Sequence, residues 1–152
     1  MKFGRVVAAT AAASMIMAGA AAVQPAEAAS TKLQITKVYV NSPGSDSSSN
    51  KSVNGEYVKI KNNGKKSVSL KGYTLRDESN HVYKFASFTL NRGKTITVYS
   101  GKGSDSSGKR YMGRGWHVWN NSGGDSAILR NASGKKIDSC TWKGSMKSSV
   151  KC

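Results

Sequence analysis

A chain of 152 residues with 24 Lys+Arg against 8 Asp+Glu carries a formal net charge of +16. That length allows one ordinary domain or two very small ones and excludes a large multidomain enzyme. Two cysteines are too few for a four-cysteine zinc module or a four-cysteine iron–sulfur cluster. Hydrophobic residues at 38% permit a modest core, and the charge points to an anionic partner.

The N-terminus has the pattern of an export signal. Lys2 and Arg5 precede an apolar, alanine-rich stretch from Val6 to Val23, and Ala26-Glu27-Ala28 offers a small-x-small cleavage site. Residues 1–28 are therefore expected to be removed as a signal peptide, leaving one domain over 29–152 with a net charge of +15. The rival, an uncleaved membrane anchor, is disfavoured by the weak hydrophobicity of alanine. No later apolar run could span a bilayer, so the mature protein is expected to be exported, and to be extracellular or envelope-associated. Outside the cytosol a thiol pair tends to oxidise. Cys140 and Cys152 are expected to form one structural disulfide, since their spacing does not suit a redox pair. The closed loop is short, and its entropy is worth about 2–3 kcal/mol.

Beyond residue 30 there is no helical stripe, only short alternating runs between Gly, Asn and Ser clusters. Leu33–Val40 reads as a strand, followed by a serine-rich loop over Ser42–Ser52 that is too poor in apolar groups to pack. Glu56–Lys61 alternates, with Val58 and Ile60 inward and Lys59 and Lys61 in solvent. A turn at Asn62–Lys65 leads to short strands at Val68–Leu70 and Tyr73–Arg76. Asp77–Asn80 turns the chain into His81–Phe85, and Lys94–Ser100 alternates again through Ile96 and Val98. Gly101–Gly108 is a second loop, and strands at Ser126–Arg130 and Lys135–Trp142 flank the Asn131–Gly134 turn. Some eight short strands predict an all-β sandwich, with a closed barrel as the alternative.

Catalytic patterns are sparse. Gly103-x-x-x-x-Gly108-Lys109 resembles a phosphate loop, but Arg110 stands where Ser or Thr is needed and no helix follows. His81 and His117 lie in no metal-ligand spacing and are expected to be structural. Of seven carboxylates after residue 28, Asp46 and Asp105 lie in loops, while Asp77, Asp125 and Asp138 look like turn or strand-end residues. The serines fall in no recognisable nucleophile frame. No catalytic residue, metal ligand or cofactor is assigned. Three Asn-x-Ser triplets, at Asn50, Asn120 and Asn131, match a glycosylation acceptor and are expected by chance in so Ser-rich a chain. Basic residues cluster over Lys51–Lys71, Lys102–Arg114 and Arg130–Lys151, with Tyr111, Trp116, Trp119 and Trp142 interleaved. Basic plus aromatic surface suits phosphate backbones with stacked bases, or another wall polyanion. For the tryptophans, core packing is the expectation.

Several segments in order resemble the lamin-tail domain, an immunoglobulin-like β-sandwich. They are Glu56-Tyr57-Val58-Lys59-Ile60-Lys61-Asn62-Asn63-Gly64, Val68-Ser69-Leu70-Lys71-Gly72-Tyr73-Thr74-Leu75, and Leu90-Asn91-Arg92-Gly93 with Ile96-Thr97-Val98. Trp119 to Leu129 and the final Gly134…Ile137-Asp138 complete the set, with one extra glycine at Gly123–Gly124. The resemblance spans about residues 33–142. It implies that Val58, Ile60, Leu70, Leu75, Ile96, Val98 and Leu129 face the core, that Asp125 caps a turn, and that Trp119 packs. The tail and export signal resemble those of short actinobacterial members. The family's modules lack catalytic residues, are often appended to secreted nucleases or phosphoesterases, and are sometimes linked to DNA or chromatin.

The resulting expectation is a secreted, monomeric, non-enzymatic module that binds an anionic polymer, extracellular nucleic acid first, by non-specific backbone contacts. Lys59, Lys61, Lys65, Lys66, Lys109, Arg110 and Arg114 are the candidate contacts. Six to ten such contacts would make affinity fall steeply with salt. The alternative is a protein-interaction or cell-wall-associated module without nucleic-acid binding. A small hydrolase ranks last, and would need His81 or His117 to meet a carboxylate in a cleft. A single basic face would favour polyanion binding, and lysines spread over both sheets would weaken it.

Overall fold

Strict alternation of apolar and polar residues places one side of each strand in a shared interior. The computed structural model describes residues 32–152, so the expected signal peptide lies outside the described residues. Eleven strands are present: β1 Leu33–Tyr39, β2 Tyr57–Asn62, β3 Val68–Ser69, β4 Thr74–Arg76, β5 Val82–Lys84, β6 Thr89–Leu90, β7 Thr95–Tyr99, β8 Lys109–Tyr111, β9 Asp125–Arg130, β10 Lys136–Trp142 and β11 Ser149–Lys151. A five-stranded sheet runs β11-β1-β2-β7-β8, a four-stranded sheet runs β10-β9-β4-β5, and β3-β6 form a small third pair. The described chain is a mostly β, immunoglobulin-like sandwich, not a closed barrel.

All seven core positions named from the resemblance are fully buried, joined by Ile35, Val38, Phe85, Leu90, Trp119 and Trp142. The observed strands sit within one or two residues of the expected ones. Three were not expected: β6, β8 and β11. β8 was obscured by the glycine-rich loop before it and β11 by the absence of any apolar run in the tail. The Ser42–Ser52 segment stays outside the core, as its composition suggests: Pro43 to Lys51 are exposed and only the ends are anchored. Ser42 is buried and donates to the Ser52 carbonyl at 2.5 Å, and Asn50–Val53 forms a single helical turn, α1, capped by Ser49.

Two cross-sheet ties hold the sandwich at one edge. Cys140 on β10 is bonded to Cys152, just past β11, so the tail is fastened to the opposite sheet. Higher on β1, where β11 no longer reaches, the Ile35 N–H donates to Asp138 Oδ2 at 2.7 Å. A carboxylate from β10 thus satisfies a β1 donor that would otherwise be orphaned. Asp125 is buried and accepts from the N–H groups of Glu78, Asn120 and Ser126, as expected of a turn cap. Next to it Gly124 has φ +92° and its α-carbon lies against the Trp142 carbonyl, where a Cβ would approach to 2.6 Å. Only glycine fits there.

Candidate polyanion-binding face

Paired residues on neighbouring strands share a face, so the register of the five-stranded sheet can be read as rows. One row on its outer face is Ser149, Tyr39, Tyr57, Tyr99 and Tyr111. The next is Lys151, Lys37, Lys59, Thr97 and Lys109. A third, shorter row holds Gln34, Lys61 and Thr95. The outward positions of these strands carry five lysines and no acid.

The tyrosines touch along the row. Tyr39 and Tyr57 stack with centroids 5.2 Å apart, Tyr57 meets Tyr99 edge-on at 5.7 Å, and Tyr99 stacks on Tyr111 at 5.2 Å. Lys37 lies 5.5 Å from the Tyr39 ring and Lys59 5.8 Å from the Tyr57 ring, positions that suit cation–π attraction. Desolvation by its neighbours, then the proximity of Tyr39 and Tyr99, raises Tyr57 above the usual phenol value of 10.0. Its hydroxyl therefore stays protonated and able to donate. Phenol hydroxyls and ammonium groups side by side are donors suited to phosphate oxygens.

Of the seven candidate contacts named from sequence, Lys59, Lys61 and Lys109 lie on this face. Lys65 and Lys66 are exposed in the turn after β2, off the rows. Arg110 is turned inward: its guanidinium lies 3.8 Å from the Phe88 ring centroid and donates to the Lys109 carbonyl at 2.7 Å and to the Ser106 carbonyl. Strand alternation explains this, since Lys109 and Tyr111 face out on either side of it. Arg114 is half-buried and donates to the Val82 carbonyl at 3.0 Å. Sequence inspection missed Lys37, Lys151, Tyr39, Tyr57 and Tyr99, and noted Tyr111 only as an aromatic beside a basic cluster.

The positive charge is not gathered on one face, the outcome that weakens an argument for polyanion binding from charge alone. The outer side of the four-stranded sheet carries its own row, Lys84, Thr74, Arg130 and Lys136, with Arg76 in the row beside it. There the guanidiniums have local partners, Arg76 on Asn80 Oδ1 and Arg130 on the Gly134 carbonyl. Trp119 and Trp142 are core residues in edge contact at 6.5 Å, as expected, but Trp116 is 56% exposed, contrary to expectation. It follows the β8 turn, where no inward-facing strand position is available to it.

Both histidines meet carboxylates. His81 Nδ1 lies 2.5 Å from Asp77 Oδ2, while its N–H donates to Oδ1 of the same residue, closing the turn before β5. His117 Nδ1 lies 3.2 Å from Glu56 Oε1, and its Nε2 lies 3.3 Å from Ser52 Oγ and 3.7 Å from Asp46. His117, Glu56 and Asp46, but not Ser52, border a pocket of about 210 Å³. Serine, histidine and glutamate in that order have the residue types of a nucleophile relay. The bonds do not align as one, since Nδ1 makes no hydrogen bond despite its proximity to Glu56. The bonds that do form close the serine-rich loop over residues 116–119. Glu56 Oε2 accepts from the N–H groups of Val118 and Trp119 and from Ser100 Oγ. Burial raises Glu56 above its usual 4.5, against the lowering effect of the Val118 hydrogen bond and of His117. Among the described residues no group of three or more His, Cys, Asp or Glu side chains could hold a metal ion, and no helix is long and apolar enough to cross a membrane.

The family model described as Lamin Tail Domain matches residues 26–144. It spans both sheets and ends before β11. No curated protein matches the chain.

Proposed function

The chain belongs to the Lamin Tail Domain family, and from that premise we propose that it is an exported, non-enzymatic module whose five-stranded sheet binds an anionic polymer, nucleic acid first. The observation that carries this is the pair of adjacent rows, four tyrosines beside four lysines, on one outer face. The expected signal peptide and the Cys140–Cys152 bond support export. Lys37, Lys59, Lys61, Lys109 and Lys151 replace the wider set drawn from sequence. They neutralise phosphates without reading bases.

Fluorescence anisotropy of the oxidised chain on labelled random-sequence DNA, titrated with salt and competed with heparin, tests this. Five contacts predict a slope of log K on log salt of roughly −4. Complete displacement by an equal charge of heparin would make the protein a generic polyanion binder. Absence of binding even at low salt would overturn the proposal and favour a protein partner.

A further inference from the structure

The two rows differ in what they offer. The lysine row is one line of charge crossing all five strands, about 19 Å long at the usual strand spacing. The tyrosine row runs parallel to it, one same-face step away along the strands, about 7 Å. A duplex presents two phosphate lines, on either side of a groove about 6 or 12 Å wide. Apart from Lys61, which stands alone in the shorter row on the far side, this face has one line of ammonium groups with neutral phenols beside it. A single strand presents one phosphate line with its bases to one side, and that is the complementary shape.

The ring geometry also bears on the bases. Tyr39 stacks on Tyr57 and Tyr99 on Tyr111, at interplanar angles of 21° and 19°. Gly103 lies against the Tyr111 ring so closely that a Cβ there would come within 2.3 Å. Most ring faces are therefore covered, and the row presents hydroxyls and electropositive ring edges. The two stacked pairs meet at 61° between Tyr57 and Tyr99. The row is thus stepped at its centre, where a base meets one ring face and one ring edge.

We infer, resting on the polyanion proposal above, that the occupant is single-stranded nucleic acid laid across the strands, its phosphates along Lys151, Lys37, Lys59 and Lys109 and its bases over the tyrosine row. The hydroxyls of Tyr39, Tyr57, Tyr99 and Tyr111 bond base edges in any sequence, since every base carries acceptors. The preference is for strandedness, not for sequence.

The test compares three probes of equal charge on the oxidised full chain: an oligothymidine of ~12 nucleotides, an abasic phosphodiester of the same length, and a duplex. The expected result is about tenfold tighter binding of the oligothymidine than of either other probe. Tyr57→Thr with Tyr99→Thr should abolish that difference, so that the variant binds oligothymidine and the abasic probe alike. Both sites are outward strand positions beside Thr97, so threonine suits them, and a melting curve checks the fold. Equal affinity for oligothymidine and abasic probe, a preference for the duplex, or a difference that survives in the tyrosine variant would overturn the single-strand inference and leave polyanion binding standing. Failure of all three probes at low salt would overturn both.

Discussion

The outer faces of the two sheets carry similar charge and differ in everything around it. On the five-stranded sheet the cations are all lysines, aligned by register and flanked by four touching tyrosines. On the four-stranded sheet two lysines are mixed with two arginines, and the guanidiniums are held by a neighbouring asparagine or a turn carbonyl. No tyrosine lies on its outer side: Tyr83, the one on its strands, packs edge-on against core Phe85 at 4.9 Å. Net charge alone would not tell these faces apart. A cation whose hydrogen bonds are already made locally is less able to follow a ligand, so placement and company decide which face can bind.

The comparison breaks most sharply on binding. Lys37→Gln, Lys59→Gln and Lys109→Gln together should weaken polyanion binding roughly a hundredfold or more at 0.1 M salt and reduce the salt slope by about 3. The matched triple Lys84→Gln, Arg130→Gln, Lys136→Gln should lose less than about a tenth of that; equal losses from the two triples would mean the faces are equivalent. Replacing both cysteines by serine should cost about 2–3 kcal/mol in denaturant unfolding. It should also weaken binding slightly, because Lys151 belongs to the row that the bond holds in place.

The smallest effect concerns Glu56, which joins the residue before β2 to Ser100 and the 118–119 backbone. Its folded-state value is raised, so its contribution to stability is complete below the unfolded value of 4.5 and is lost as pH rises through the folded value. Glu56→Gln keeps an acceptor for Val118 while removing the titration. Stability measured across that window should lose this component of its pH dependence, with a change at neutral pH of about 1 kcal/mol or less. An unaltered profile would mean that Glu56 does not titrate there.

Much of the sandwich was legible because burial imposes period two on the chain, and Val58, Ile60, Ile96 and Val98 announce it directly. The turn chemistry of Asn62–Lys65 and Asn131–Gly134 was equally plain. The site was harder, since residues of one face come from strands far apart in sequence. A signal was present nonetheless. Lys37-Val38-Tyr39, Thr97-Val98-Tyr99 and Lys109-Arg110-Tyr111 share one direction, and Tyr57-Val58-Lys59 and Ser149-Val150-Lys151 reverse it. The reversals match the antiparallel strands, while β7 and β8 are parallel and agree. Arg110 points inward for the same reason: it occupies the inward slot of that triplet. The Glu56–His117 contact had no sequence signal, being assembled by loop closure between segments far apart in the chain.

The pairing of β1 with β11, and the Asp138 carboxylate that continues it, also set how the molecule reaches its native state. Ile35 and Asp138 are 103 residues apart in sequence, and the outermost lysine of the row lies beyond them. Contacts at such separation form only after most of the chain has been organised, which gives a high contact order and folding in milliseconds to seconds rather than microseconds. The inner strands β2 and β7, with Tyr57, Tyr99 and Lys59, can pair across a much shorter span. The centre of the face is therefore available earlier than its edge, and the edge is the last part to be assembled.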